Sequence, residues 1–593
     1  MTKIIKRILS SIFTTTSITA VTSCSFYVSP IDKKYNFNVY EKIEINNNTY
    51  FAHQVKFKNF KEGQFKIIDN TKISIINIED IEYANIEDFL KLINGLIYTD
   101  VYLSNLEKTD DYWLFTPYGK SEKDYPFVKF NFKDGFIEFN DNSVFTASIN
   151  GVDSGTKYNK NIKFVKSEIV KKGNKIMKIK LRDYGFNLFK YKNDLLVPFD
   201  ILNLLFGSNN YYNLYLGKEL LVGNFLPNSL NDNQTPNTLL NNENRYLEET
   251  KKTRTINYNF MALVFDYFYG FKDLKMPNGF KTYTKNNLNN LTSTNPNDYL
   301  SEYAKLFTID LNDPHAQIFS TIKDLKPSIN FTDLSEEEKN NNKTYNIYKY
   351  YKILDRTLQN LDNEIYQKDK RNEINIIHSN DLAIIKVNNF VVASEEMIKN
   401  NKEKAYEYDT FYRVLNSIKK IQKDYKDVKN IVLDLSTNTG GHVVQAEKLL
   451  GMMTNENIRQ YQFDTITNNF SYSEFKIDAD DDGDYNDDDA FTEYNWYIMT
   501  SPITFSAANF MATYAKDNNI AKIIGNRSSG GTFSVFPFVL PDGTTLGISS
   551  NDGFTFKDQT FVEDGAEVDL RINYEDYYNP EKIDKIIHNQ KRR

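Results

Sequence analysis

The run Met499-Thr-Ser-Pro-Ile-Thr-Phe-Ser-Ala-Ala-Asn-Phe-Met-Ala-Thr-Tyr-Ala515 decides how the C-terminal half of the chain folds. Asn495–Met499 is short, aromatic and apolar, as a buried strand should be, whereas after Ser506 small and apolar residues recur at helical spacing with few breakers. Ser506 therefore falls at a strand-to-helix junction, in the first helical turn, where backbone N–H groups have no partner inside the helix. The Ala507 amide is then open to a developing oxyanion, and Ser506 stands where a nucleophile would. Serine is also a preferred helix cap, so on this stretch alone the commoner reading is a capped helix without chemistry.

Upstream, the same alternation of strand and helix continues. Leu382–Val387 and Ile431–Leu435 are apolar strands, Tyr408–Tyr425 is an amphipathic helix between them, and Val444–Met453 is another helix. Alternation of this kind predicts an α/β layer with parallel strands from about residue 380 to 575. Within it, Asn430-Ile-Val-Leu-Asp-Leu-Ser-Thr-Asn-Thr-Gly-Gly-His442 runs from strand into a loop with paired glycines. Gly440 and Gly441 allow close approach of a substrate to bare backbone amides, although any strand-to-helix turn can use glycine.

Residues 35–150 and 151–240 read as strands separated by Asn, Asp and Gly: Thr49–Phe57, Gln64–Ile68, Lys72–Ile76, Phe127–Phe132, Gly135–Phe139, Ile162–Val165 and Lys175–Leu181. Ile86–Gly95 and Val197–Gly207 each place an acidic residue before an apolar helix ending at glycine, which suggests two α+β modules in tandem. They resemble the N-terminal domain of copper amine oxidases, an add-on without chemistry. His53, alone in a strand, is read as structural. Asn209–Arg254 reads as a loop-rich linker, and residues 255–375 as a helical part with segments at Tyr258–Phe271, Tyr299–Ile309 and Tyr345–Leu361.

A chain of 593 residues has room for roughly three or four domains. Its net charge of −7 argues against a general nucleic-acid binder. Cys24 is the single cysteine, which excludes an intramolecular disulfide and a cysteine-based zinc site. Met1–Arg7 is basic, Ile8–Ala20 is moderately apolar and Val21-Thr-Ser-Cys24 ends in small residues, the layout of a secretory signal over residues 1–24. These last four residues resemble the bacterial lipobox, which implies lipidation of Cys24 and an extracytoplasmic, membrane-anchored protein. No later run approaches the ~20 apolar residues that span a bilayer.

Six motifs together carry a second and more specific resemblance. Val432-Leu-Asp-Leu-Ser-Thr-Asn-Thr-Gly-Gly441, Thr504-Phe-Ser-Ala-Ala-Asn509, Ile523-Ile-Gly525, Gly530-Gly531, Leu540-Pro-Asp-Gly543 and Val562-Glu-Asp-Gly565 occur in the order found in S41 peptidases, which include the C-terminal processing proteases and the tricorn core. The resemblance implies a crotonase/ClpP-like core preceded by a helical segment and the N-terminal modules, and peptide-bond hydrolysis through an acyl-enzyme on Ser506. The processing proteases use a lysine base where this chain has Gly530 and Gly531. The tricorn-like branch uses a histidine, which Leu311-Asn-Asp-Pro-His315 matches, and a glutamate, which Glu563 matches. Ser506 is thus assigned as nucleophile, His315 as base and Glu563 as its orienting partner, with Ala507 and Gly440 or Gly441 as oxyanion donors.

Pro314 stands where tricorn-like enzymes have serine, and Asn509 where the family often has glutamate. His442 is a second candidate base. These departures leave a pseudoprotease that binds peptides or host molecules as the alternative. No PDZ-like domain is expected between His315 and Asp381. Finally, Asp478, Asp480, Asp482, Asp484 and Asp489, with Gly483, include the EF-hand calcium spacing with Asp as the last ligand. A solvated acidic loop without an ion has the same composition, and no cofactor is expected for catalysis.

Overall fold

The structure is a computed structural model that describes residues 35–59, 71–97, 99–117, 126–146, 160–173, 175–225, 249–321, 331–361, 376–393, 397, 400–485 and 488–590. Cys24 and the signal segment lie outside these residues, as does the expected strand Gln64–Ile68.

The predicted α/β layer is a six-stranded sheet in the order Ile376–Ser379, Leu382–Lys386, Asn430–Asp434, Asn495–Thr500, Lys522–Gly525, Leu570–Arg571. Every pairing is parallel except that of the first strand with the second. Leu382–Lys386 and Asn430–Asp434 are buried throughout, as strands covered on both faces must be. Alternate residues point to two cores. Ala383, Ile385, Ile431, Leu433, Ile498 and Ile523 pack with residues of the helices Thr410–Asp424, Val443–Gly451 and Ala507–Asp517. Leu382, Ile384, Val432, Tyr497, Met499 and Ile524 pack with Lys343–Leu361 and Pro580–Gln590 on the other face. Parallel strands end on one side, so the Gly440 loop and the Ser506 turn leave the sheet next to each other.

A second six-stranded sheet joins Gln317–Ser320, Thr545–Thr555, Ile458–Asp464, Phe470–Ile477 and Ile162–Lys171, with Phe533–Val539 paired to Thr545–Thr555. One of its strands therefore comes from the N-terminal half. The helix Lys251–Phe268, capped by Thr250, is locked to this sheet's hairpin by buried Arg254, which donates to Asp542 at 2.6 Å and to Tyr303 at 2.8 Å.

Described strands from both expected N-terminal modules share sheets. Lys42–Asn85 and Phe189–Phe225 contribute to one eight-stranded sheet, while Leu106–Phe139 and Met177–Lys180 form a five-stranded sheet. The two expected helices are present as Ile86–Leu92 and as Phe199–Leu202 running on through Asn203–Gly207. Their flanking strands Ile81–Asn85 and Asp194–Pro198 pair with each other, so the modules interleave instead of following in tandem. Both sheets, the helix Lys251–Phe268 and the strand Phe533–Val539 share one core. The expected linker also begins as a hairpin, Tyr212–Leu216 with Leu220–Phe225. Among the described residues no helix is long and apolar enough to cross a membrane.

Candidate active site

The loop after Asn430–Asp434 is shaped by short polar bonds. Asp434 accepts from the Ser436 amide at 2.8 Å, Lys386 donates to Thr437 Oγ1 at 2.6 Å, and Asn438 Oδ1 accepts from the Gly440 amide at 2.7 Å. Thr504 and Ser501 pin this loop to the next one by donating to the Leu435 and Ser436 carbonyls at 2.8 and 2.5 Å. The result brings Gly440 against the serine, because a Cβ built on it would lie 2.8 Å from Ser506 Cβ and 3.1 Å from the Ala507 nitrogen.

Ser506 is the N-cap of Ala507–Asp517 in position only. Its hydroxyl makes no cap hydrogen bond, and its backbone stands at φ 55°, ψ −128°. A serine with positive φ in this region is strained by roughly 1–3 kcal/mol, which a mere cap would not need. The conformation is fixed from outside the helix by the Ser506 amide donating to the Gly530 carbonyl at 2.8 Å. Of the expected oxyanion donors, the Gly440 amide is occupied by Asn438, but the isolated bridge of Gly441 to Phe390 uses the Gly440 carbonyl and the His442 amide. That leaves the Gly441 and Ala507 amides without an acceptor among the described residues, both beside Ser506.

His315 reaches this site from the helical part. Pro314 follows Asp313 in a tight turn closed by the Ala316 amide on the Asp313 carbonyl at 2.9 Å, so the proline that departs from the tricorn-like pattern stiffens the turn that carries the histidine. The imidazole is 1% exposed and packs on Phe505, the neighbour of Ser506, with ring centroids 4.7 Å apart. Neither ring nitrogen has a hydrogen-bond partner among the described residues. Burial pushes its pKa below the usual histidine value, against the opposing pull of Asp313 and Glu563, with Lys343 acting in the same direction as burial. The imidazole is thus neutral at pH 7, as a base must be.

Glu563 is in the cluster, but its oxygens are engaged elsewhere. Oε2 accepts from the Gly531 and Thr532 amides at 3.0 Å each, and Oε1 pairs with Lys343 at the start of Lys343–Leu361. It acts on His315 through its field, not through a hydrogen bond, which corrects the orienting role expected for it. The carboxylate that touches the His315 segment is Asp313, whose Oδ1 accepts from the His315 amide at 3.0 Å. Asn509 is a brace: it donates to the Val562 carbonyl at 2.9 Å and accepts from Ser528 at 2.7 Å, tying the Ser506 helix to the Glu563 turn. His442 begins the helix Val443–Gly451, where burial and Lys448 hold its pKa down to about 4, too low for an effective base near neutral pH.

The sequence of the segment 381–572 decides the class: it matches the model of peptidase family S41. That segment, which carries Ser506, is S41-like. A photosystem II D1 C-terminal processing protease is similar at 16% identity over 32% of this chain and 42% of its own, with a TM-score of 0.24. A Parabacteroides merdae protein is similar at 15% identity over 57% of this chain and 95% of its own, TM-score 0.36, and a Streptococcus agalactiae lipoprotein at 16% over 49% and 96%, TM-score 0.27. This chain thus spans less than half of the processing protease. No curated protein matches the chain.

Away from Ser506, the acidic loop brings together three of its five expected ligands: one ligand atom each of Asp478, Asp480 and Asp489 lies within 4.8 Å of the others, a group that does not include Asp482 or Asp484. The loop's own amides occupy several of these oxygens, with Asp482 and Gly483 donating to Asp478 at 3.1 Å. Asp481, absent from the expected set, anchors the loop to Lys160, Asn161 and Tyr412 at 2.5, 2.6 and 3.2 Å.

Two outcomes follow from the S41 site. Gly440 has φ 109°, and its missing Cβ is what lets Ser506 approach. Gly440→Ala is expected to lower kcat/KM by about 100-fold or more, since displacement of a reacting atom by even ~1 Å costs that much; steady-state kinetics on the folded variant check it. The pH dependence is signed by the depressed His315 pKa. Activity rises with pH along a limb centred below the ordinary histidine value of ~6.5, and Lys343→Met, which removes a cation, moves the limb to higher pH. The linked stability runs the same way, because the unfolded chain binds the proton more tightly, so stability falls as pH drops below about 6.5. A pH–rate profile of both proteins measures this.

Proposed function

We propose that the protein is a lipid-anchored, extracytoplasmic serine endopeptidase that hydrolyses peptide bonds through an acyl-enzyme on Ser506. The observation that carries this reading is the strained Ser506, without a cap bond from its hydroxyl and flanked by two open amides, next in sequence to the Phe505 ring on which a buried, neutral histidine packs. Ser506 Oγ attacks the scissile carbonyl as His315 takes its proton, and the carbonyl oxygen, now anionic, is received by the Gly441 and Ala507 N–H groups. Collapse of the tetrahedral adduct expels the amine, which leaves with the proton from His315. Water, deprotonated by the same imidazole, then releases the acid and regenerates Ser506. Asp313 fixes the histidine-bearing turn, and Glu563 and Lys343 set the field around it.

Anchoring rests on the sequence alone: the basic, apolar and small-residue segments that end at Cys24. The test joins both parts. Full chain expressed in a bacterium with a radiolabelled fatty acid should incorporate label and partition into the membrane, and Cys24→Ser should do neither. The purified chain should fragment an unfolded protein substrate, and Ser506→Ala should leave it intact. A labelled, well-folded wild type that binds but never cuts such a substrate makes it a peptide-binding pseudoprotease.

A further inference from the structure

Ile162–Lys171 is the outermost strand of the second sheet. It pairs with Phe470–Ile477 on one side, and among the described residues no strand pairs with its other edge. Such an edge presents a row of backbone donors and acceptors, which proteins ordinarily blunt by keeping the strand short, charged or covered. This one is ten residues long and carries Phe164, Val165, Ile169 and Val170, each between 42 and 52% exposed. Single exposed apolar side chains are ordinary, but four on one free edge mark a surface that another strand covers.

The order of residues on this edge says which strand. Phe164-Val-Lys-Ser-Glu-Ile-Val170 is an apolar pair, a cation, Ser167, an anion and an apolar pair, so it is complementary to itself when reversed. A two-fold axis between Ser167 and its copy sets Lys166 opposite Glu168, Val165 opposite Ile169 and Phe164 opposite Val170. Opposite charges and apolar side chains facing each other are what stabilise an antiparallel pair. Moving the axis to residue 166 or 168 would set Lys166 or Glu168 against itself, so the charges select one register. Lys166 and Glu168 already share a face of the sheet: their charged atoms lie 3.8 Å apart, and Glu168 accepts from the Tyr472 hydroxyl at 2.7 Å. Both cross-axis ion pairs therefore form on that face. Two bulges against Phe470–Ile477, at Val165 and Val170, twist the edge but leave Lys166–Ile169 paired in register, and the axis falls inside this regular stretch. Lys163 and Lys171 meet only at the ends of the ladder, where solvent screens them.

We infer that Ile162–Lys171 binds the same strand of a second copy of this chain, antiparallel about Ser167, so that the two sheets become one across a symmetric dimer. The inference does not depend on the peptidase reading. Sedimentation velocity of the full chain over a concentration series should show a monomer–dimer equilibrium. Lys166→Glu and Glu168→Lys each place like charges at both symmetry-related contacts and should weaken dimerisation about tenfold or more. The double variant exchanges the two charges, restores both pairs and should dimerise like wild type, which a general effect of surface charge would not produce. Under mild oxidation Ser167→Cys should yield a covalent dimer whose bridge joins the two introduced thiols, because opposed residues of an antiparallel ladder lie within disulfide reach. A folded wild type that stays monomeric at every concentration overturns the inference, even if the edge then takes up an unrelated extended peptide. A dimer indifferent to both single charge reversals, or a double variant as weak as the single ones, overturns it as well.

Discussion

Replacing Ser506 by glycine is expected to abolish hydrolysis and to stabilise the fold at once. The serine hydroxyl makes no cap bond, so nothing in the helix is lost with it. What is relieved is the backbone at φ 55°, ψ −128°, a region glycine occupies at little cost. We expect a gain of about 1 kcal/mol in denaturant unfolding, toward the low end of the strain such residues carry. Hydrolysis should fall on the order of 10³-fold or more, as for loss of a nucleophile. Ser506→Ala should lose activity equally but gain no stability, since alanine bears the same Cβ. Equal unfolding curves for the two variants would show that the site stores no strain and that the serine is a passive junction residue.

Loss of the base is the second large effect. His315→Phe keeps an aromatic ring on Phe505 and fills the buried volume, yet has no nitrogen to receive the Ser506 proton. It should cost on the order of 10³-fold in kcat/KM or more while retaining most of the stability. His315→Ala removes the ring as well and should unfold about 2–4 kcal/mol more easily, as truncation of a large buried side chain does. The pair separates chemistry from packing: equal activity losses with unequal stability identify the imidazole as the base. If His315→Phe retains near-normal kinetics, His315 is a packing residue and another group deprotonates the serine.

The sequence made legible whatever depends on neighbours along the chain. The strand-to-helix change at Ser506, the alternation from Leu382 onward and the glycine pair at Gly440 and Gly441 all appear where they were expected, because periodicity and turn chemistry are local. Contacts between distant segments left no such trace. Lys343 and Glu563 form an ion pair across 220 positions, and nothing around Lys343 distinguishes it from the other lysines of its helix. The pairing of Ile81–Asn85 with Asp194–Pro198 is equally silent, so two similar segments read as tandem modules when they are halves of one sheet. Asp313, by contrast, has a local signal. An Asp-Pro pair just before a histidine is a turn signal, and turns of this kind direct the aspartate back onto the chain.

The most direct test of the central claim is the site of a covalent adduct. Full chain treated with a fluorophosphonate, digested and mapped by mass spectrometry should carry one phosphonyl group on Ser506, with labelling that slows as pH falls through the range where His315 takes up its proton and that is nearly absent in His315→Phe. No adduct on Ser506 in a folded wild type, or an adduct formed equally fast without His315, contradicts the account.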